Sequence, residues 1–132
     1  MDVPNIRVVL CHGSRDLRTG LHRLLDAADG IEVVAAAAEG AEGVAAAVRL
    51  APDVVLMDLA MPRIDAVGAT RRIAALRPRT RVLILTAFPR PDRIRDALAA
   101  GASGYVLKEA TPGALLSAVR AVAERPGSPH PN

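Results

Sequence analysis

The chain has 132 residues, enough for one domain whose core needs no covalent staple. It is 51% hydrophobic and 23% charged, which excludes a disordered chain, and its single cysteine excludes an intrachain disulfide or an all-cysteine zinc site. A net charge of +3 and a pI near 10.0 invite a nucleic-acid reading, but with only Phe88 and Tyr105 as aromatics the chain cannot build a base-stacking platform.

The N-terminus, Met1 to Arg7, lacks the basic start and long apolar run of a signal peptide, and the longest uncharged stretch, Ala97 to Leu107, is too short to span a bilayer. A cytoplasmic protein without membrane contact is expected. The first apolar run, Val8 to Cys11 led in by Ile6, predicts a buried strand. Leu17, Leu21, Leu24, Leu25 and Ala28 then fall on one helical face, with Ser14 as N-cap and Gly30 as stop. Ile31 to Ala37 predicts a second, alanine-rich strand, and Glu42 to Ala51 a short helix ended by Pro52. Val54 to Met57 is the third strand. Asp65 to Arg77 follows as a helix that turns Val67, Thr70, Ile73 and Ala74 inward.

Val82 to Leu85 predicts strand four, and Asp92 to Ala100 a helix closed by Gly101. Tyr105 to Leu107 predicts strand five. Thr111 caps a last helix that starts on Pro112 and turns Leu115, Leu116, Val119 and Val122 inward. The segment 126–132, with three prolines and no periodicity, reads as a linker or tail after a domain spanning 1–125. The scattered arginines read as coats on the helices. Continuous rather than alternating apolar strands suit a parallel sheet covered on both faces, so the chain is expected to be a doubly wound α/β domain.

In such a sheet ligands bind beyond the carboxyl ends of the strands, where the strand order reverses. For the order 2-1-3-4-5 that crevice lies between strands one and three. Strand one ends at Cys11, His12 and Gly13, strand three at Asp58, strand four at Thr86, and strand five at Lys108, the only lysine. An acid, a hydroxyl and an amine at one edge fit phosphoryl transfer to a carboxylate. Asp58 would attack phosphorus in line, Lys108 would neutralise the phosphoryl oxygens, and Thr86 would hydrogen-bond the product. Cys11 and His12, as strand neighbours, point to opposite faces and do not converge on one ion; a buried Cys11 and an exposed His12 are expected.

The stretches Ile6–Leu10, Pro52–Pro62, Arg81–Ala87 and Ala99–Glu109, with their spacing, resemble the receiver domain of bacterial response regulators, the NarL/FixJ branch in particular, over residues 6 to about 124. The resemblance implies the flavodoxin-like, three-layer (βα)5 receiver fold. It places Asp58 at the phosphoacceptor position, Thr86 at the switch hydroxyl, Tyr105 at the switch aromatic and Lys108 at the family's lysine position. It makes the carbonyl of Ala60 a magnesium ligand and a histidine kinase the phosphoryl donor. Dimerisation would use either the face of helix four, strand five and helix five, or helix one with helix five.

The chain departs from this pattern at the acidic pair that holds magnesium just after strand one, where His12 and Gly13 stand instead. Asp16 is near in sequence but belongs to the first turn of helix one, where an acid is favoured by the helix N-terminus. The family's Met-Pro-Gly-x-Asp-Gly is here Met61-Pro-Arg-Ile-Asp-Ala66, so two glycines are lost and Arg63 comes near the site. Magnesium wants several hard oxygen ligands, and one carboxylate beside a lysine supplies too few. Magnesium binding is expected to be weak or lost, no other metal or cofactor is expected, and a direct Asp58–Lys108 ion pair is the alternative partner for the acid. Arg71 and Arg72 read as a solvated face; Arg90, Arg93 and Arg95 lie where the family contacts partners, on a loop stiffened by Pro89 and Pro91.

The expected function is thus a transcription-controlling receiver module with weak or no phosphorylation of Asp58, regulated by homodimerisation or by a small ligand at the degenerate pocket. The alternative is an ordinary phosphorelay receiver phosphorylated on Asp58. An enzyme is not expected, since no nucleophile–base pair or Gly-rich phosphate loop is visible. DNA contact is expected only through a helix-turn-helix domain absent from this chain.

Overall fold

The computed structural model describes residues 4–61, 66–87 and 90–124. The expectations about Arg63, Asp65, Pro89 and the segment 126–132 lie outside the described residues.

Five strand–helix units follow one another: β1 (Ile6–Cys11), α1 (Arg15–Ala27), β2 (Ile31–Ala37), α2 (Gly40–Leu50), β3 (Val54–Asp58), α3 (Ala66–Leu76), β4 (Arg81–Thr86), α4 (Pro91–Ala99), β5 (Gly104–Leu107) and α5 (Pro112–Ala123). The strands pair in parallel in the order β2-β1-β3-β4-β5. No helix among the described residues is long and apolar enough to cross a membrane.

Caps set the helix boundaries. Ser14 Oγ accepts the Leu17 amide hydrogen at 3.3 Å, and Thr111 Oγ1 accepts that of Ala114 at 3.1 Å, each satisfying an orphan donor of the first turn. Helix α2 starts at Gly40, earlier than the expected Glu42, because Glu42 works from inside the first turn: its carboxylate accepts the Ala38 amide hydrogen at 3.0 Å. Gly101 follows α4 at φ +119°, a region that strains any residue with a Cβ.

The period-two alternation of the strands divides the core into two layers. Val9, Cys11, Val55, Met57, Val82 and Ile84 pack with α2, α3 and α4. Val8, Leu10, Val54, Leu56, Leu83 and Leu85 pack with α1 and α5 around Leu25, Leu115, Val119 and Val122. Each fully buried aliphatic side chain contributes about 1.5–3 kcal/mol, so the three central strands carry most of the apolar drive. Helix α2 lies so close over β1 that a Cβ on Gly43 would run into Cys11 Sγ.

The arginines do more than coat helices. Arg7 donates to the Leu50 carbonyl at 2.8 Å, Arg18 to that of His12 at 2.8 Å, and Arg120 to that of Asp29 at 3.0 Å. Each closes a carbonyl left open at a strand end, a helix end or a turn. A long guanidinium fork reaches such acceptors while its charge stays wet.

Candidate functional site

Alternation along the strands decides which side chains meet. The β1–β3 register pairs Cys11 with Met57, so His12 and Asp58 are the next positions of their strands. Both carry on the parity of Leu10 and Leu56, toward the α1/α5 layer, and Lys108 shares the parity of Val106 in that layer. Asp58, the last residue of β3, is 3% exposed. Its Oδ1 accepts from Lys108 Nζ at 3.0 Å and from the Ala60 amide at 3.0 Å. The direct Asp58–Lys108 ion pair expected from the sequence is therefore present.

Thr86 ends β4, buried, and its carbonyl accepts the Lys108 amide hydrogen at 2.8 Å. This backbone bond extends the β4–β5 ladder by one step and fixes the root of the lysine beside the acid. Tyr105 lies on the edge strand β5 and is 49% exposed. Gly13 is exposed and offers no side chain. Ala60 reaches Asp58 through its amide, a contact that the sequence does not mark.

His12 is the correction. It was expected at an exposed strand end, but it is 2% exposed. Three backbone groups hold it: its own amide donates to the Ala37 carbonyl at 3.0 Å, its carbonyl takes Arg18, and its Nδ1 accepts the Ser14 amide hydrogen at 3.0 Å. Because Nδ1 accepts, the neutral ring carries its proton on Nε2. Burial pushes the imidazole pKa below its ordinary value; Asp58 pulls the other way, while Lys108 and Arg18 add to the lowering. The 3.6 Å approach of Nδ1 to Asp58 Oδ2 is thus a meeting of two acceptors and not an ion pair.

Cys11 faces the opposite layer, as expected. Burial, with Glu42 adding, pushes its thiol up to about 12, so it is a small apolar core residue and no thiolate nucleophile. Asp16 is exposed in the first turn of α1, the place that its helix-N-terminal reading assigns it. Arg93 reaches from α4 to the Leu59 carbonyl at 3.4 Å, bracing the segment after Asp58. Arg90 meets Asp92 at 3.6 Å on the surface. Ser14, Arg18 and Arg93 were not recognised as site residues from the sequence. Ser14 acts through its backbone amide, and the two guanidinium groups act on backbone carbonyls, partners that carry no residue-type signature.

The comparisons with known proteins agree with this architecture. Residues 8–120 match the response regulator receiver domain. The chain is 38% identical to the transcriptional regulatory protein LiaR of Bacillus subtilis over 119 residues, which is 90% of this chain and 56% of that protein. It is 35% identical over 123 residues to YxjL of the same organism, an uncharacterised transcriptional regulatory protein, covering 93% of this chain and 56% of the other. It spans a little over half the length of these relatives. Among solved structures, the signal receiver domain of the putative response regulator NarL from Mycobacterium tuberculosis superposes with a TM-score of 0.87 at 31% identity, covering 92% of this chain and 98% of that one. With the 2-1-3-4-5 sheet and the acid and the amine paired at its carboxyl edge, this chain belongs to the response regulator receiver family, in its NarL-like branch.

Proposed function

We propose that this chain is the receiver module of a transcriptional regulator and that it works with little or no magnesium-dependent phosphorylation of Asp58. The observation that carries this reading is the donor set around Asp58. One carboxylate is taken up by Lys108 and the Ala60 amide, and the neighbouring Nδ1 of His12 has its lone pair committed to the Ser14 amide hydrogen. No group of three or more acidic, histidine or cysteine side chains that could hold a metal ion occurs among the described residues. These residues do not fit magnesium, which requires several hard oxygen ligands and dehydrates reluctantly.

In this reading the Asp58–Lys108 pair holds the switch region in one state, and output is set by homodimerisation or by a small molecule. Transcriptional control would be exercised in the cytoplasm through a separate DNA-binding domain. The retention of Asp58, Thr86 and Lys108 at three neighbouring strand ends supports a second reading, an ordinary receiver phosphorylated on Asp58 by a histidine kinase.

Incubation with acetyl phosphate and magnesium, followed by intact mass spectrometry, separates the two readings. The first expects an adduct on a small minority of molecules at most. Fast, stoichiometric labelling that is lost in Asp58→Asn overturns it in favour of the second. A beryllofluoride titration gives the same division without turnover.

A further inference from the structure

The buried ring of His12 leaves one polar atom unaccounted for. With Nδ1 turned to Ser14 and Asp58, the opposite part of the ring carries the Nε2 hydrogen, and Nε2 is buried without a hydrogen-bond partner among the described residues. Native structures rarely leave a buried donor in this condition, because the group has given up water for nothing.

His12 is also one of the residues that line a cavity of about 110 Å³ between α1 and the β5–α5 junction. Its other walls are apolar: Leu21 and Leu24 from α1, Leu85 from β4, Leu107 from β5 and Leu115 from α5. Lys108 lines it as well, but its ammonium is paired with Asp58 Oδ1. Leu17, 52% exposed, is also among its lining residues.

We propose that this cavity is a binding site for a short, uncharged aliphatic molecule with one carbonyl or hydroxyl oxygen, which accepts the His12 Nε2 hydrogen while its chain packs among the leucines. The volume limits the buried part to a handful of non-hydrogen atoms, somewhat less than a cavity of about 150 Å³ that takes benzene. An anion is disfavoured because the Asp58 carboxylate lies on the other side of the same ring and already occupies Lys108. A cation is disfavoured because the free group is a donor. The site stands on its own geometry. Its use as a regulatory input rests on the reading that ligand or dimer, not phosphorylation, sets the output, and the binding test below is independent of the acetyl phosphate test.

The probes are 2-pentanone and its near-isostere 2-methyl-1-pentene, which lacks the acceptor. They are titrated separately into protein labelled at leucine methyls and histidine nitrogens and followed by NMR. The ketone is expected to shift the Leu21, Leu24 and Leu115 methyls and the His12 Nε2 resonance along one saturable curve. It should bind about tenfold more tightly than the alkene, the ordinary worth of one buried hydrogen bond. In His12→Phe that preference should vanish. No saturable shift, equal affinity for the two probes in the wild type, or ketone binding that leaves Nε2 unmoved overturns the proposal, the last outcome including a site that holds only water. The wild-type comparison decides the matter even if His12→Phe does not fold.

Discussion

His12 Nδ1 and Asp58 Oδ2 stand 3.6 Å apart as two hydrogen-bond acceptors, held in that relation by the Ser14 amide on one side and the Lys108 ammonium on the other. The Ser14 amide bonds the histidine at Nδ1 and the Lys108 ammonium bonds the acid at Oδ1, and neither residue neutralises the other. The pocket is therefore set up for a neutral imidazole, and that choice governs its response to pH.

Since the native His12 pKa lies below the ordinary 6.5, the unfolded chain takes up a proton before the native ring does. The stabilisation from the neutral ring is present in full above about pH 6.5 and is lost as pH falls from there toward the lowered native value, with a slope of at most about 1.4 kcal/mol per pH unit. Urea denaturation at half-unit steps between neutrality and mild acid should show this slope. His12→Gln should flatten it.

Lys108→Met should destabilise the domain by about 1–2 kcal/mol. It strands a carboxylate that is 4% exposed, although the lysine itself is 24% exposed and its loss is partly made good by water. Asp58→Asn combined with Lys108→Met should cost less than the sum of the two single changes, because the neutral amide no longer needs the cation. Additive losses in chemical denaturation would show that the pair is not coupled.

Acids introduced beside Asp58 should create a metal site. His12→Asp with Gly13→Asp places two carboxylates beside Asp58, and without magnesium the cluster should lower the melting temperature by mutual repulsion. Magnesium should recover that loss, and labelling by acetyl phosphate should rise at least about tenfold over the parent chain. Thermal melts with and without magnesium, and intact mass, check both parts.

Two backbone positions give opposite effects. Ala51 ends α2 in the left-handed region at φ 46°, where a Cβ is unfavourable, so Ala51→Gly should stabilise by about 0.5–1 kcal/mol after its entropic cost. Gly43 lies against the buried Cys11 Sγ, which would have to shift within the core to admit a Cβ, so Gly43→Ala should destabilise by about 1–3 kcal/mol. Thermal melts of the two variants should move in opposite directions.

The order of elements, the sheet order and the strand ends that carry Asp58, Thr86 and Lys108 were all legible in the sequence. Apolar runs of strand length alternating with helical stripes admit few arrangements, and the period of two assigns each strand residue to a face. That His12 and Gly13 stand after strand one, where the resemblance implies an acidic pair, was equally plain, because it is a matter of residue type alone. The environment of His12 was not. A histidine after the last apolar residue of a strand can lie in water or under a helix. The outcome depends on how closely α1 folds back over β1, which Ser14 secures through its backbone amide on Nδ1 and Arg18 through its guanidinium on the His12 carbonyl. The 3.0 Å contact of Lys108 with Asp58, the neutral state of His12 and an Nε2 unpaired among the described residues follow from the same convergence of α1, β3 and β5. Sequence pattern settles which residues share an edge of the sheet. Only packing in three dimensions sets the distances and the loss of water that decide what those residues do.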